Sequence, residues 1–201
     1  AVLAELQQLS LDVPENRWVL AKAGTVASLL DDWATADSLF DRLDALQGPN
    51  RGIRAQRALN AMRRGAAADA ADFQAMLRAD PTFTAWAIPY WELERENPAA
   101  REWLRQLARC AALRDNKRRQ YEFLLGTTTE AELLDSAKSA PEKCESYYLL
   151  AEAARMKKDQ NSALDWYRKC IETDQVEDVE HQNARRMLRT MTGGGAPKDG
   201  S

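Results

Sequence analysis

Small residues recur at fixed offsets among bulky ones in this chain, and that spacing restricts its possible folds more than any other property. In the stretch YYLLAEAARMKKDQNSALDWYRKCI, residues 147–171, Ala151 and Ala163 lie 12 apart among the large apolar Tyr147, Leu150, Tyr167 and Ile171. At helical periodicity, Tyr147, Leu150, Ala151 and Ala154 share one face of a first helix. After the polar KKDQ, the residues Ala163, Trp166, Tyr167 and Cys170 share one face of a second. Small residues on both helices let the backbones approach closely, while the large ones fill the space around the crossing. The spacing predicts an antiparallel helical hairpin.

The same offsets recur. Ala36, Phe40 and Leu43 match Ala163, Tyr167 and Cys170, and Gly24 stands 12 residues before Ala36. Thirty-four residues on from Gly24 and Ala36 are Ala58 and Ala70, followed by Leu77, with Gly65 at the turn between them. Thirty-four residues back from Ala36, Phe40 and Leu43 are Val2, Leu6 and Leu9, the second helix of a truncated repeat. Pro14, Pro49 and Pro81 fall just after the second helices, where proline stops one helix and precedes the next. This 34-residue pattern resembles the tetratricopeptide repeat (TPR) over residues 1–81 and 145–174, with Gln74 standing where that repeat has an aromatic.

Residues 82–140 stay helical but lose the register. Trp86, Tyr90 and Trp91 have the spacing of core positions, and Pro89 is expected to bend or break their helix. Asn97 and Pro98 start a further helix as N-cap and first helical residue, with Ala100, Trp103, Leu104, Leu107 and Ala111 as its apolar stripe. Gly126 ends another, and Thr129 with Glu132 forms a capping box. This order, with a closing amphipathic helix over 178–191, resembles the C-terminal half of NlpI-type bacterial TPR lipoproteins. The tail GGGAPKDGS, 193–201, reads as a flexible segment. The expectation is an all-α, TPR-like α-solenoid, a right-handed superhelix of about 9–11 helices in antiparallel pairs. It forms one domain over 1–192: a truncated repeat 1–14, repeats 17–50 and 51–81, irregular helices 82–140, a repeat 145–174 and a capping helix.

Composition narrows the function classes. A net charge of −3 lacks the basic excess of a general nucleic-acid binder, and no apolar run approaches the roughly 20 residues that span a bilayer. Cys110, Cys144 and Cys170 form no CxxC pair, and His181 is the one histidine. Each cysteine reads as a small thiol packed on a helix, no metal or cofactor is expected, and neither chelators nor thiol reductants should alter stability. The carboxylates Glu172, Asp174, Glu177, Asp178 and Glu180 read as a solvated loop without EF-hand spacing. No nucleophile–base pair or phosphate loop stands in a recognisable frame, so a noncatalytic role is expected.

The TPR resemblance implies that the first helices of successive hairpins line a concave groove holding a protein or peptide partner. Its inward positions correspond here to Trp18, Ala21, Thr25, Ser28 and Leu29; to Gly52, Ala55, Leu59, Met62 and Arg63; and to Glu145, Tyr148, Glu152, Arg155 and Met156. The Lys and Asn set with which TPR co-chaperones clamp a C-terminal carboxylate is missing, so a helix or extended peptide with apolar anchors fits better. Tyr148 and Arg155 are expected to face the partner without serving the hairpin's own packing. Two alternatives stand beside this reading. One is a structural or oligomerising segment of a larger protein, self-associating through apolar faces near Val2, Leu6 and Leu9. The other is docking of nucleic acid or an acidic partner on a basic stripe including Arg101, Arg105, Arg109 and Arg118. A start at Ala1 rather than Met suggests a processed or excised chain. A soluble cytoplasmic protein is expected, or a periplasmic one if the lipoprotein resemblance holds.

Overall fold

A computed structural model describes residues 2–48, 50–110 and 112–193, without the side chains of Val2, Leu3, Gln7 and Ser10. The expectations for Pro49, Ala111 and the tail from 194 lie outside the described residues. Among these residues the chain is all-α, with twelve α-helices, one 3-10 turn and no strand. That exceeds the expected number because residues 82–140 divide into four short helices. No described helix is long and apolar enough to cross a membrane. The chain packs as two compact units, residues 1–78 and 79–201.

The first unit comprises α1 (Val2–Asp12), α2 (Arg17–Leu29), α3 (Trp33–Gln47), α4 (Arg51–Arg63) and α5 (Ala70–Ala79), which ends at the unit boundary. Local chemistry sets the helix ends. Asn16, Asp32 and Asn50 each cap a helix, accepting from the backbone N–H of Val19, Thr35 and Ile53 respectively. Asp31 and Gly65, 34 residues apart, close α2 and α4 in the left-handed conformation, at φ 61° and 71°. At each, two backbone bonds fold back onto the last turn, for example from the Ala66 N–H to the Ala61 carbonyl and from the Gly65 N–H to the Met62 carbonyl.

Leu20, Ala23, Ala27, Ala36, Leu39, Phe40, Leu43 and Ile53 form one buried cluster, with Leu6 of α1 packed partly against it. Gly24 is buried at the crossing of α2 and α3, where an added Cβ would lie 2.6 Å from Phe40 Cε1. Gly24→Ala should therefore destabilise the protein by about 1–2 kcal/mol, the overpacking cost exceeding the roughly 1 kcal/mol gained in helix propensity. Ala36→Leu and Ala163→Leu, at positions with no exposure, should cost about 1–3 kcal/mol. Urea denaturation of the three variants checks this, and unchanged midpoints throughout would remove the register.

The next pair departs from the pattern. Six residues, 64–69, join α4 to α5, against three, 30–32, between α2 and α3. Leu77 stays buried at the position that Leu43 has in α3, and Phe73 at that of Leu39. Phe73 and Leu77 are wholly buried, whereas Gln74 and Ala70 are only half-buried. The aromatic missing at 74 is thus supplied at 73.

The second unit opens with a 3-10 turn (Thr84–Trp86), then α6 (Ala87–Glu94), α7 (Pro98–Ala108), α8 (Asp115–Leu124), α9 (Glu130–Ser136), α10 (Ala140–Met156), α11 (Gln160–Glu172) and α12 (Val179–Met191). Pro89 lies in the first turn of α6, where its missing N–H has no intrahelical partner to lose. It marks the start of that helix instead of bending it, leaving Trp86 in the 3-10 turn and Tyr90 and Trp91 buried. Asn97 and Pro98 open α7, and the Thr129–Glu132 capping box opens α9. Gly126, at φ 73°, follows α8 with the same double backbone closure as Gly65. A second capping box, Ser139 with Glu142, starts α10 at Ala140, earlier than the expected 145.

The α10–α11 hairpin is built like α2–α3. Ala151 and Ala163 are wholly buried, as are Tyr167 and Cys170. Lys158 takes the left-handed conformation at φ 62°, the place Asp31 has in the first hairpin, and Asp159 caps α11 as Asp32 caps α3.

Candidate functional site

In the first unit, one buried hydrogen bond links α2 to α4. The Ser28 hydroxyl donates to the Gly24 carbonyl at 2.8 Å and accepts from Asn60 Nδ2 at 2.9 Å. Both residues are fully buried, so this bond ties the two first helices together. Two inward expectations change accordingly: Ser28 and Ala55 are buried and line no open surface. Trp18 is 63% exposed at the start of α2. Thr25 is half-buried, its hydroxyl donating to the Ala21 carbonyl at 2.9 Å, and Leu59, Met62 and Arg63 are half-buried on α4. Arg57 and Arg64 anchor α4 to α3 through Asp41 at 2.7 Å and Asp37 at 3.0 Å. On and just after α1, Leu9, Leu11 and Val13 are 41%, 66% and 39% exposed.

In the second unit the corresponding face of α10 is occupied. Tyr148 is buried with its ring tilted against Tyr167, 6.2 Å between centroids. Glu152 is 4% exposed and accepts from the Tyr167 hydroxyl at 2.5 Å. Arg155 reaches Glu152 at 2.8 Å and grips Glu92 of α6 with both terminal nitrogens, at 3.1 and 2.5 Å. Burial disfavours its charge, but the Glu152 and Glu92 carboxylates outweigh that and hold the guanidinium pKa above its ordinary value. Tyr148 and Arg155 therefore do serve this unit's packing, contrary to the expectation that the hairpin leaves them free. The periodicity identified their face of α10 but not the helices that cover it.

Beside them, α8 and α10 share a polar network. Lys117 binds Glu145 at 2.7 Å, Gln120 donates to Asn116 at 2.7 Å and to Glu145 at 3.1 Å, and Asn116 donates to Ser146 at 3.2 Å. Thr84 donates to Gln120. A small pocket lined by Thr84, Ile88, Gln120, Glu145, Leu149 and Glu180 has room for about one water molecule. Glu180 was expected in a solvated loop, yet it is 6% exposed. It is the second residue of α12, and that helix turns it inward. Burial, with the Glu145 carboxylate adding repulsion, pushes its carboxyl up to about 7. His181 beside it is 2% exposed with no hydrogen-bond partner at Nδ1.

The basic residues divide between two helices. Arg101 is half-buried and lies over the Trp91 ring, 5.2 Å from its centroid, and Arg105 pairs with Glu102 at 3.1 Å. Arg109 is exposed at the end of α7, whereas Arg118 is half-buried on α8. The expected single stripe is therefore interrupted after Arg109.

Cys144 and Cys170 are buried thiols on helices, as expected, but they converge, which the expectation of separate thiols did not include. Their sulfurs lie 3.3 Å apart, both fully buried, one on each helix of the α10–α11 hairpin. The signal was present in the sequence: seven residues outward from Ala151 and from Ala163, the two small residues at the crossing, are these two cysteines. Among the described residues no three His, Cys, Asp or Glu side chains cluster so as to hold a metal ion. In comparisons with known proteins, no family model matches this chain and no curated protein matches its sequence.

Proposed function

We propose that this chain is a noncatalytic TPR-type scaffold, a right-handed array of helix pairs, that binds a protein or peptide segment along α2 and α4. The observation that carries the reading is the shared construction of α2–α3 and α10–α11: small residues 12 apart, an aromatic four residues after the second, a left-handed residue and an Asp cap at the turn. The Ser28–Asn60 bond adds a link between the two first helices, as such an array requires. Of the residues expected to face a partner, Tyr148, Glu152 and Arg155 are engaged within their own unit. Trp18, Leu59 and Met62 remain as the partner surface, with Thr25 and Arg63 half-buried on the same two helices. Trp18 is its anchor, an aromatic 63% exposed of the kind that dominates interface energetics.

Selection from a displayed library of random peptides, followed by titration of the enriched peptide, tests this. Peptides with apolar anchors should be enriched, and Trp18→Ala or Met62→Ala should weaken their binding about tenfold or more with little change in Tm. Undiminished binding by both variants, with loss in Arg109→Ala and a steep fall with added salt, would move the site to the basic residues of α7.

A second reading, self-association, draws on Leu9, Leu11 and Val13, which are large, apolar and exposed on and just after α1. It predicts a concentration-dependent mass in sedimentation that Leu11→Lys abolishes.

A further inference from the structure

We infer that Cys144 and Cys170 are an oxidisable dithiol, a modification site at which a hydroperoxide closes a disulfide across the open end of the α10–α11 hairpin. The placement carries this. Cys144 is the fifth residue of α10, Cys170 lies two residues before the end of α11, and residues 157–159 already join the two helices at the opposite end. The hairpin is thus covalently closed at one end and has two sulfurs in contact near the other, 3.3 Å apart. A disulfide needs about 2.05 Å, so the sulfurs must approach by roughly 1.3 Å. Helix α11 ends just beyond, where Thr173 donates its hydroxyl to the Cys170 carbonyl and Asp174 turns out of the helix at φ 56°. Helix ends are where local opening begins, which gives a small oxidant a route to thiols that have no exposure in the closed fold.

The roles divide between the two sulfurs. Either thiol can donate across the contact; with Cys170 as the donor, its hydrogen bond holds the Cys144 thiol below its ordinary pKa, and donating that bond, together with burial, raises Cys170. The Cys144 thiolate attacks one peroxide oxygen. The S–O bond forms, the O–O bond breaks, and the departing hydroxide leaves as water with the proton lost by Cys144. The Cys170 sulfur then attacks the Cys144 sulfenic acid. The S–S bond forms, the S–O bond breaks, and the hydroxyl leaves as a second water with the Cys170 proton. Two thiols have together lost two electrons, and one peroxide has gained them.

The test uses the full chain with hydrogen peroxide as the probe. After exposure, the chain is unfolded, its remaining thiols are alkylated, and intact mass and peptide mapping locate any link. Two of the three cysteines should be lost to alkylation, with residues 144 and 170 in one linked peptide from the folded chain, whereas oxidation in urea should give mixed pairings. Cys110→Ser should oxidise identically, because Cys110 is the half-buried cysteine outside this pair. Closing the loop should raise Tm by about 5–10 °C, reversed by a thiol reductant. Three alkylatable cysteines after peroxide treatment, a link through Cys110, or the same mixture of links in native buffer as in urea would each overturn the proposal.

Discussion

Arg155→Ala is expected to lower the stability of this protein by about 2–3 kcal/mol, at or below the lower end of the range for breaking a buried charge pair because the guanidinium itself is 30% exposed. The guanidinium joins three elements: Glu152 on its own helix, through it the Tyr167 hydroxyl on α11, and Glu92 on α6. The Glu152 side chain is 5% exposed and the Glu92 side chain 31%. Removing the cation leaves Glu152 with a phenol donor but no opposite charge, whereas water can reach Glu92. A double-mutant cycle separates the two. Glu92→Gln alone should cost about 1 kcal/mol, and adding it to Arg155→Ala should cost almost nothing more, since the shared bond is already gone. Urea unfolding of the four proteins gives the numbers. A loss below about 0.5 kcal/mol in Arg155→Ala would mean that the pair behaves as an exposed one.

The second large effect is a pH dependence centred on Glu180. In the unfolded chain its carboxyl ionises near 4.5, whereas in the folded chain it keeps its proton up to about 7. Between those values the folded state binds more protons than the unfolded state, so the contribution of Glu180 to stability falls as pH rises from about 4.5 to about 7 and is level above. At roughly 1.4 kcal/mol per pH unit, the folded state loses about 3 kcal/mol over that interval. The position within the first turn of α12 favours the charged form, but burial wins. Glu145 of α10 adds repulsion, as does Asp178 just before α12, and Lys117 of α8 offsets part of it. Glu180→Gln should therefore be more stable than the parent by about 2–3 kcal/mol at pH 8, with the difference vanishing near pH 4.5. Thermal melts of the two proteins from pH 4.5 to 8.5 decide the matter, and a constant difference across that range would place the titration elsewhere. Capping carboxylates such as Glu132 and Asp159 have the opposite sign, because bonds from Thr129 and Ser162 hold them below their ordinary values. Comparison of parent with variant removes their contribution.

Much of the fold was legible because helix formation is local. The caps at Asn97 and Thr129, the turn at Gly126 and the closing helix all depend on residues within a few positions of one another. The hairpin register was equally plain, since a two-helix crossing is set by which residues are small. The candidate site was less so. Periodicity showed which residues share a face of a helix, but not what lies opposite, and Tyr148, Glu152 and Arg155, expected to meet a partner, meet α6 and α11 instead.

The sequence by itself determined that the chain is helical, where α7 and α9 begin and α8 ends, and that Gly24, Ala36, Ala151 and Ala163 sit at crossings. Only the tertiary structure decided the rest. It placed Glu92 against Arg155, 63 residues away, and Asn60 against Ser28, 32 away. It buried Glu180 beside Glu145, and moved the aromatic of α5 from position 74 to 73. The physical reason is one of range. Caps, turns and face periodicity arise from bonds and sterics within a turn or two of helix, whereas burial and charge pairing depend on where a second, distant helix comes to rest. Cys144 and Cys170 lie at the border between these regimes. Their contact follows from the local register once the hairpin is granted, but the burial of both sulfurs is a property of the packed unit.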